Sequence, residues 1–285
     1  MTAATSLETR LAGSVEYHVG GAGDPLLLVH GLGGSAENWV EVVPELVRRH
    51  RVIAIDLPGH AGSAALARGA TMDDFAAATA AVLDAEGVGS AVVAGHSLGG
   101  LVALRLARTR PDLVRGLLLV APAGIATTSR TVEALVIAAA TLRPGRAVAR
   151  FRHRWADRVW YRRAVFRPWF VSDPVALSPR ATHGLLSAQP RHTDTKVAGR
   201  AMIADDPRQD LPDIVCPVVV LWGARDAQLP LDDAFEFARR LGAPLRVIAD
   251  CGHLAIGERP DAVLDGIRDL DVLVRDAEAL GEARA

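Results

Sequence analysis

The stretch AVVAGHSLGG, residues 91–100, carries the most information in this chain of 285 residues. Its first half is short, apolar and rich in valine, a pattern typical of a strand buried on both faces. The second half spaces Gly95, Ser97 and Gly99 as G-x-S-x-G, and leucines at helical spacing follow until Pro111. A serine on a tight strand-to-helix turn is exposed beside unpaired helical N–H groups, which favour developing negative charge. The pattern therefore predicts that Ser97 is a nucleophile.

Short apolar runs of the same kind recur along the chain, separated by stretches with helical spacing. This alternation predicts an α/β fold with a mostly parallel sheet and right-handed crossovers. Residues 7–11 and 14–19 predict an antiparallel hairpin at one edge, which brings the sheet to eight strands flanked by helices. The other predicted strands are residues 26–30, 51–57, 91–95, 117–121, 217–223 and 245–250.

Residues 125–206 break this alternation, because they contain no convincing strand between two strong strand signals. They hold 14 of the 32 basic residues against six acids, a local charge of +8, and seven of the 13 aromatic residues. A structureless insertion of this length is uncommon in a compact domain. We therefore expect a helical cap, or lid, over residues 125–206, inserted into a core formed by residues 1–124 and 207–285.

Composition argues against several classes of function. The formal net charge of −1 gives no reason to expect a nucleic-acid partner. Two cysteines are too few for a disulfide framework. The longest nearly apolar stretch, residues 134–142, is far shorter than the roughly 18 to 20 residues that cross a bilayer. We expect a cytoplasmic protein without stable membrane insertion, and the oligomeric state stays open.

A serine nucleophile needs an adjacent base, and the chain offers nine histidines. His253 stands out because it directly follows a strand signal, in the sequence DCGH. The acid that orients the base should follow a strand at the same edge of the sheet, as Asp226 does in the sequence GARD. The other common position, residues 121–124, reads APAG and offers no carboxylate. We therefore predict the catalytic set Ser97, Asp226 and His253.

Acyl transfer on a serine also needs backbone N–H donors for the developing oxyanion. The turn around the serine supplies the N–H of Leu98. The loop HGLGG, residues 30–34, follows the third strand and offers the N–H of Leu32. We expect His30 and Gly31, from the same loop, to lie beside the substrate.

These motifs together resemble the α/β-hydrolase fold family, in its serine esterase and lipase-like branch. In the family's D-x-P-G-x-G-x-S motif this chain has Ala61 at the second glycine, so we expect that loop to differ in shape. The resemblance implies that the 125–206 cap covers the pocket. The matching pieces span residues 26–260 and are the loops 30–34 and 56–60, the turn around Ser97, Gly223-x-x-Asp226, and Gly252-His253 followed by Glu258 and Pro260.

The resemblance leaves several activities to weigh. Family members with an aspartate nucleophile are dehalogenases or epoxide hydrolases, and Ser97 argues against both. Carbon–carbon bond hydrolases of ring-cleavage diketones often have an aromatic residue where this chain has Leu254. Cofactor-free perhydrolases and lactonases share the catalytic set, and some proteins of this fold only bind ligands. We expect cleavage of small, mostly apolar carboxylic esters through an acyl-enzyme on Ser97, with no cofactor and no metal.

The aromatic and arginine residues of the cap allow two interpretations each. Trp155, Trp160 and Trp169, with Leu254 beside the predicted base, are candidates to line an apolar pocket. Such residues also form the small core of a cap. The arginines between residues 152 and 167 form either a solvated face or a surface that attracts carboxylate-bearing substrates or anionic lipid.

Overall fold

The computed structural model describes residues 7–126, 144–166 and 169–282. The strands within them are Glu8–Ala12 (β1), Val15–Gly20 (β2), Asp24–Val29 (β3), His50–Ile55 (β4), Ala91–His96 (β5), Val114–Val120 (β6), Val218–Gly223 (β7) and Leu245–Ile248 (β8). They form one sheet of eight strands in the order β1-β2-β4-β3-β5-β6-β7-β8. The pairs β1–β2 and β2–β4 are antiparallel, and the other neighbours are parallel. The predicted sheet, with its hairpin at one edge, is confirmed.

Helices follow most strands, as the sequence predicted. Short 3₁₀ turns lie at Ala36–Trp39, Pro111–Leu113, Pro207–Gln209 and Leu211–Asp213. The α-helices of the described residues are Val43–Leu46 (α1), Met72–Ala85 (α2), Leu98–Thr109 (α3), Pro144–Ala149 (α4), Arg152–Trp155 (α5), Val159–Phe166 (α6), Pro179–Ser187 (α7), Thr195–Ala204 (α8), Leu231–Leu241 (α9), Ala255–Glu258 (α10) and Pro260–Glu282 (α11).

The parallel strands are buried on both faces because successive side chains point to opposite sides of the sheet. In β3, Leu27 and Val29 pack with α2, α3 and α9, whereas Leu26 and Leu28 pack with α1 and α11. Helix α11 meets the sheet with apolar residues three or four positions apart, such as Val263, Ile267, Leu270 and Val274. The sheet is therefore packed between two apolar layers, one on each face.

Between β6 and β7, the described residues hold helices and no strand, as predicted. Residues of α6 and α7 form a small apolar cluster of their own with Leu254. By contrast, Val197, Ala198 and Ala201 of α8 pack into the main core with α2. Residues 127–143, which include the apolar stretch 134–142, lie outside the described residues, and the division of the chain at residues 125 and 206 remains a prediction.

The length and polarity of the helices also bear on membrane insertion. In the described part of the chain, every helix is too short or too polar to span a bilayer.

Loops at the carboxyl ends of six strands converge on one edge of the sheet. They follow the parallel strands β3 to β8. In open α/β sheets this edge is where ligands bind, because the loops there face a common crevice. Each residue of the predicted catalytic set follows one of these strands, so the topology brings them to the same edge.

Candidate active site

Ser97 occupies a strained turn between β5 and α3. Its backbone has φ 54° and ψ −117°, a conformation that residues other than glycine rarely adopt. Glycines make the turn sterically possible, because a Cβ atom at Gly95 would overlap the carbonyl of Gly99, and one at Gly99 would overlap the carbonyl of Val29. Such a conformation costs about 1–3 kcal/mol and persists only where the surroundings enforce it. The tight packing that enforces it also leaves the serine side chain half-buried at the strand end.

His253 and Asp226 form a buried hydrogen-bonded pair. His253 Nδ1 donates to Asp226 Oδ2 over 2.7 Å, and the two side chains are only 5% and 1% exposed. The other carboxylate oxygen accepts the N–H groups of Gln228 and Leu229 at 2.8 and 2.9 Å. Burial pushes the pKa of Asp226 upward, but the bonds from His253 and these N–H groups outweigh it, so the pKa lies below its ordinary value. The carboxylate is therefore ionised and fixes the histidine with Nε2 as its proton acceptor.

His96 ties the nucleophile turn to the histidine loop. It directly precedes Ser97, and its Nε2–H donates to the backbone carbonyl of His253 over 2.9 Å. The two imidazole rings lie 4.9 Å apart between centroids. Burial and the neighbouring His253 lower the pKa of His96 to about 3, so this ring stays neutral and acts as a donor. This contact could not be predicted from the sequence, because the two residues are 157 positions apart.

The loop at residues 30–34 is oriented by bonds to one carbonyl. The oxygen of Gly31 accepts from His30 Nδ1 at 2.7 Å and from the N–H of Gly34 at 3.0 Å. Because a trans peptide places C=O and N–H on opposite sides, these bonds turn the N–H of Leu32 the other way. A Cβ atom on Gly31 would lie 3.2 Å from Ser97 Cβ, so the loop runs directly against the nucleophile. Leu98 starts α3, where helical geometry leaves N–H groups without intrahelical partners.

Three histidine rings pack edge to face behind this loop. His30 lies 5.0 Å from His60, and His60 lies 5.5 Å from His192, between ring centroids in edge-to-face orientation. Burial lowers the pKa of His30, and burial together with the neighbouring rings lowers the pKa of His60 much further. His30 Nε2 accepts the N–H of Leu57 over 3.0 Å. His30 and His60 are therefore neutral and pack as polar, oriented rings.

The segment after α7 binds the same loop from the other side. Gln189 Nε2 and His192 Nε2 both donate to the carbonyl of Gly33, at 2.8 and 3.0 Å. His192 Nδ1 accepts the N–H of Ala61 over 3.1 Å. One side chain from the inserted region thus joins the loop after β3 to the loop after β4. Sequence analysis missed His192, since nothing in its local sequence marks it.

The sequence of the chain also matches a family of known proteins. A sequence profile described as "Alpha/beta hydrolase family" matches residues 26–265. The chain belongs to the alpha/beta hydrolase family. The match covers the loops at the strand ends and the inserted helices together.

Relatives of this alpha/beta hydrolase include esterases. A pimeloyl-[acyl-carrier protein] methyl ester esterase from Aromatoleum aromaticum is 32% identical over 271 residues, covering 88% of this chain and 96% of the relative. A solved thermophilic esterase from Thermogutta terrifontis is 28% identical and superposes with a TM-score of 0.71, covering 94% of this chain and 98% of the other. The acetyltransferase component of an acetoin cleaving system from Pseudomonas putida is 31% identical over 87% of this chain, but the chain spans only 63% of that protein.

Ala61, at the position where the family motif has a glycine, lies in a loop with two positive φ angles. Ala61 adopts φ 41°, the left-handed conformation that suits the glycine it replaces. Gly59, two residues earlier, has φ 85°. The alanine therefore keeps a glycine-like backbone at a steric cost of about 1–2 kcal/mol.

The structure separates the residues predicted to contact substrate. His30 and Gly31 lie against the nucleophile turn, and Leu254 is buried in the apolar cluster of α6 and α7. Trp155 packs among aromatic rings, 4.6 Å from Phe151 and 5.2 Å from Trp160 between centroids, as expected for the core of the inserted region. Trp160 and Trp169 are 56% and 63% exposed, so their positions give no support to a role in the pocket.

Among the described residues, one group could hold a metal ion. Glu16, His18 and Asp56 place their ligand atoms within 4.8 Å of one another. None of the three belongs to the set of Ser97, Asp226 and His253.

Proposed function

We propose that this alpha/beta hydrolase cleaves carboxylic esters through an acyl-enzyme on Ser97. The observation that carries the proposal is the buried pair of His253 and Asp226, 2.7 Å apart and joined by His96 to the turn that presents Ser97. A neutral imidazole held by an ionised carboxylate is the base that a serine hydroxyl needs. The esterase relatives support the same class of reaction.

The proposed cycle has two acyl-transfer steps. His253 Nε2 takes the hydroxyl proton as Ser97 Oγ attacks the ester carbonyl, and the oxyanion rests on the N–H groups of Leu32 and Leu98. The C–O bond then breaks, and the imidazolium returns its proton to the departing alcohol. In the second step His253 takes a proton from water, which attacks the acyl-enzyme. Release of the acid returns the proton to Ser97.

Substrate choice would depend on the inserted region, proposed as a cap over residues 125–206. Its described apolar cluster includes Tyr161, Phe166 and Leu185 and reaches Leu254, the neighbour of the proposed base. An apolar cluster beside the proposed base favours uncharged acyl or alcohol groups there. We therefore propose small, mostly apolar esters as the substrate class.

A panel of p-nitrophenyl esters of graded chain length tests the proposal. Ser97→Ala should lower kcat about 10⁴- to 10⁶-fold, since removing the nucleophile leaves only binding and the oxyanion donors. Ser90→Ala, in the loop before β5, is the matched control and should keep full activity. A fluorophosphonate probe should label wild type at Ser97 and should not label Ser97→Ala.

Three results would contradict the proposal. A folded Ser97→Ala variant with wild-type turnover would remove Ser97 from the mechanism. Failure of the folded wild type to label or turn over would indicate a ligand-binding protein. Faster turnover of a vinylogous diketone or a lactone than of any ester would identify a different hydrolase.

A further inference from the structure

We propose that Glu16, His18 and Asp56 form a binding site for a divalent transition-metal ion of the zinc type. The site lies where the edge strand β2 meets the end of β4. The site is independent of the hydrolysis proposed at Ser97. An ion bound at the site would have a structural role.

The sheet itself brings the three side chains together. Glu16 and His18 are two residues apart on β2, so both side chains leave the same face of the strand. Asp56 directly follows β4, and its N–H donates to the carbonyl of Glu16 over 2.9 Å. His18 Nε2 then lies 3.8 Å from Glu16 Oε1 and 3.7 Å from Asp56 Oδ2.

Asp56 presents an unsatisfied oxygen to this space. The residue is fully buried, and its Oδ1 accepts the N–H of Ala36 over 2.7 Å. Its Oδ2 has no hydrogen-bond partner in the part of the chain that the structure describes. A buried carboxylate oxygen without a hydrogen bond is costly, because it has lost its bonds to water, and His18 Nε2 approaches it only to 3.7 Å. The oxygen is thus oriented for a ligand.

The distances fit a metal ion better than a shared proton. If a proton on His18 Nε2 paired the ring with a carboxylate, an N···O distance of about 2.7–2.9 Å would be expected. The observed 3.7 and 3.8 Å are too long for that bond. Ligand atoms around a tetrahedral zinc ion, with bonds of about 2.0–2.1 Å, lie roughly 3.3 Å apart. The three ligand atoms lie within 4.8 Å of one another, so inward movements of up to about 1.5 Å would reach that spacing.

The surroundings complete a metal site of this type. His18 Nδ1 lies 3.0 Å from Thr9 Oγ1, an outer contact of the kind that orients a ligating imidazole. The carboxylate of Glu16 lies against Gly62, where any Cβ atom would displace it. His18 and Glu16 are 18% and 20% exposed, so water can reach a fourth position. Arg191 Nη1 is 3.5 Å from Glu16 Oε1 and is a competing cation.

The donor set selects among cations. One imidazole nitrogen and two carboxylate oxygens suit zinc and its neighbours, whereas magnesium and calcium prefer oxygen ligands alone. A bound ion would cross-link the edge hairpin to β4. Because binding favours the folded state, it would raise the unfolding temperature.

Zinc titrations of the metal-free full-length protein test the site. Isothermal calorimetry should give one zinc per chain at this site, with a rise in unfolding temperature and no response to magnesium. His18→Gln should weaken that binding at least tenfold and abolish the rise. His153→Gln is the matched control, because His153 and His183, with rings 4.5 Å apart, are another pair to which zinc could bind.

Glu16→Gln provides a second test if His18→Gln does not fold. This change keeps the backbone bond from the N–H of Asp56 to the carbonyl of residue 16. It should weaken zinc binding by a similar factor while the circular dichroism stays that of wild type. Folded wild type that binds no zinc would overturn the site. Zinc binding of unchanged affinity in folded His18→Gln or Glu16→Gln would overturn it as well.

Discussion

The nucleophile turn packs backbone against backbone, whereas the inserted helices of residues 144–204 add side-chain bonds to their backbone contacts. At the strand ends, backbone meets backbone. Side chains at Gly95, Gly99 and Gly223 would each overlap a neighbouring main chain. The inserted region reaches the site through side-chain bonds, such as those of Gln189 and His192 to the carbonyl of Gly33. It also makes backbone bonds, since the N–H groups of Thr193 and Asp194 donate to the carbonyl of Gly59 at 3.1 and 3.2 Å.

A similar side-chain contact fastens the inserted region to the histidine loop. The buried carboxylate of Glu258 accepts the N–H of Gly252 at 2.8 Å, and those of Ser172 and Asp173 at 3.2 and 2.6 Å. Backbone contacts cannot be relaxed without moving a strand, whereas side-chain contacts can be exchanged one at a time. We therefore expect the nucleophile turn to tolerate less change than the side-chain contacts of the inserted region.

Glycine substitutions in the two regions give the largest expected effects. A methyl group at Gly99 would overlap the carbonyl oxygens of Val29 and His30. Gly99→Ala should lower the free energy of unfolding by about 2–3 kcal/mol and kcat/KM by roughly 100-fold or more, since the turn at Ser97 must move. Urea unfolding and ester turnover measure the two effects. Gly89→Ala, with open space around it, is the control and should stay within about 0.5 kcal/mol of wild type.

Gly184→Ala makes the comparison direct, because a methyl group there would overlap the carbonyl of Glu37. Helix α7 can shift as a unit, so the loss of unfolding free energy should be smaller than for Gly99→Ala. Equal losses at both positions would show that the two regions are equally rigid.

The bonds to Gly33 give the second largest effect. Removing both donors in Gln189→Ala/His192→Ala should lower kcat about 10- to 100-fold, because the N–H of Leu32 loses its support. KM should change less, since these side chains are proposed to position the loop without touching substrate. Arg180→Ala, on the exposed side of α7, is the control. A variant that changed KM alone would place Gln189 and His192 in the substrate pocket.

The free energy of unfolding should decrease as the pH falls, because of the buried histidines at the strand ends. Burial lowers the pKa of His30, His60 and His96 in the folded protein, so below about pH 6.5 the unfolded chain binds more protons. The free energy of unfolding should therefore decrease from pH 6.5 downward, by up to about 1.4 kcal/mol per pH unit for each histidine.

His60→Gln isolates one of these protons. Denaturant unfolding at pH 5 and 6 should show a pH slope that is smaller than that of wild type by up to about 1.4 kcal/mol per unit. An unchanged slope would mean that His60 takes up its proton equally in both states.

The smallest expected effect is at Ala61. Its φ of 41° favours glycine, so Ala61→Gly should raise the free energy of unfolding by about 0.5 kcal/mol, the relief of strain less the added chain entropy. Ala64→Gly, three residues on and without a positive φ, should lower it by a similar amount. A loss at both positions would show that the left-handed turn carries no strain.

Local sequence predicted most of the sheet and the candidate catalytic residues. The strands are short apolar runs, and G-x-S-x-G marks its own strand–turn–helix context, so both can be found within about ten residues. Asp226 and His253 could be predicted because each directly follows a strand, and parallel strands end at one edge. The positions of Trp160 and Trp169 could not, since exposure depends on how helices outside the sheet pack.

What the sequence determined by itself is therefore the order of strands and helices and the chemical groups at the carboxyl edge of the sheet. Only the tertiary structure decided that His96 bonds to His253, that His192 joins the loops after β3 and β4, and that Asp56 meets His18. Each of these contacts links residues far apart in the chain, where no periodicity or spacing records the approach. The local sequence carries no signal of such contacts, whereas the packing of the sheet and its helices brings the groups together.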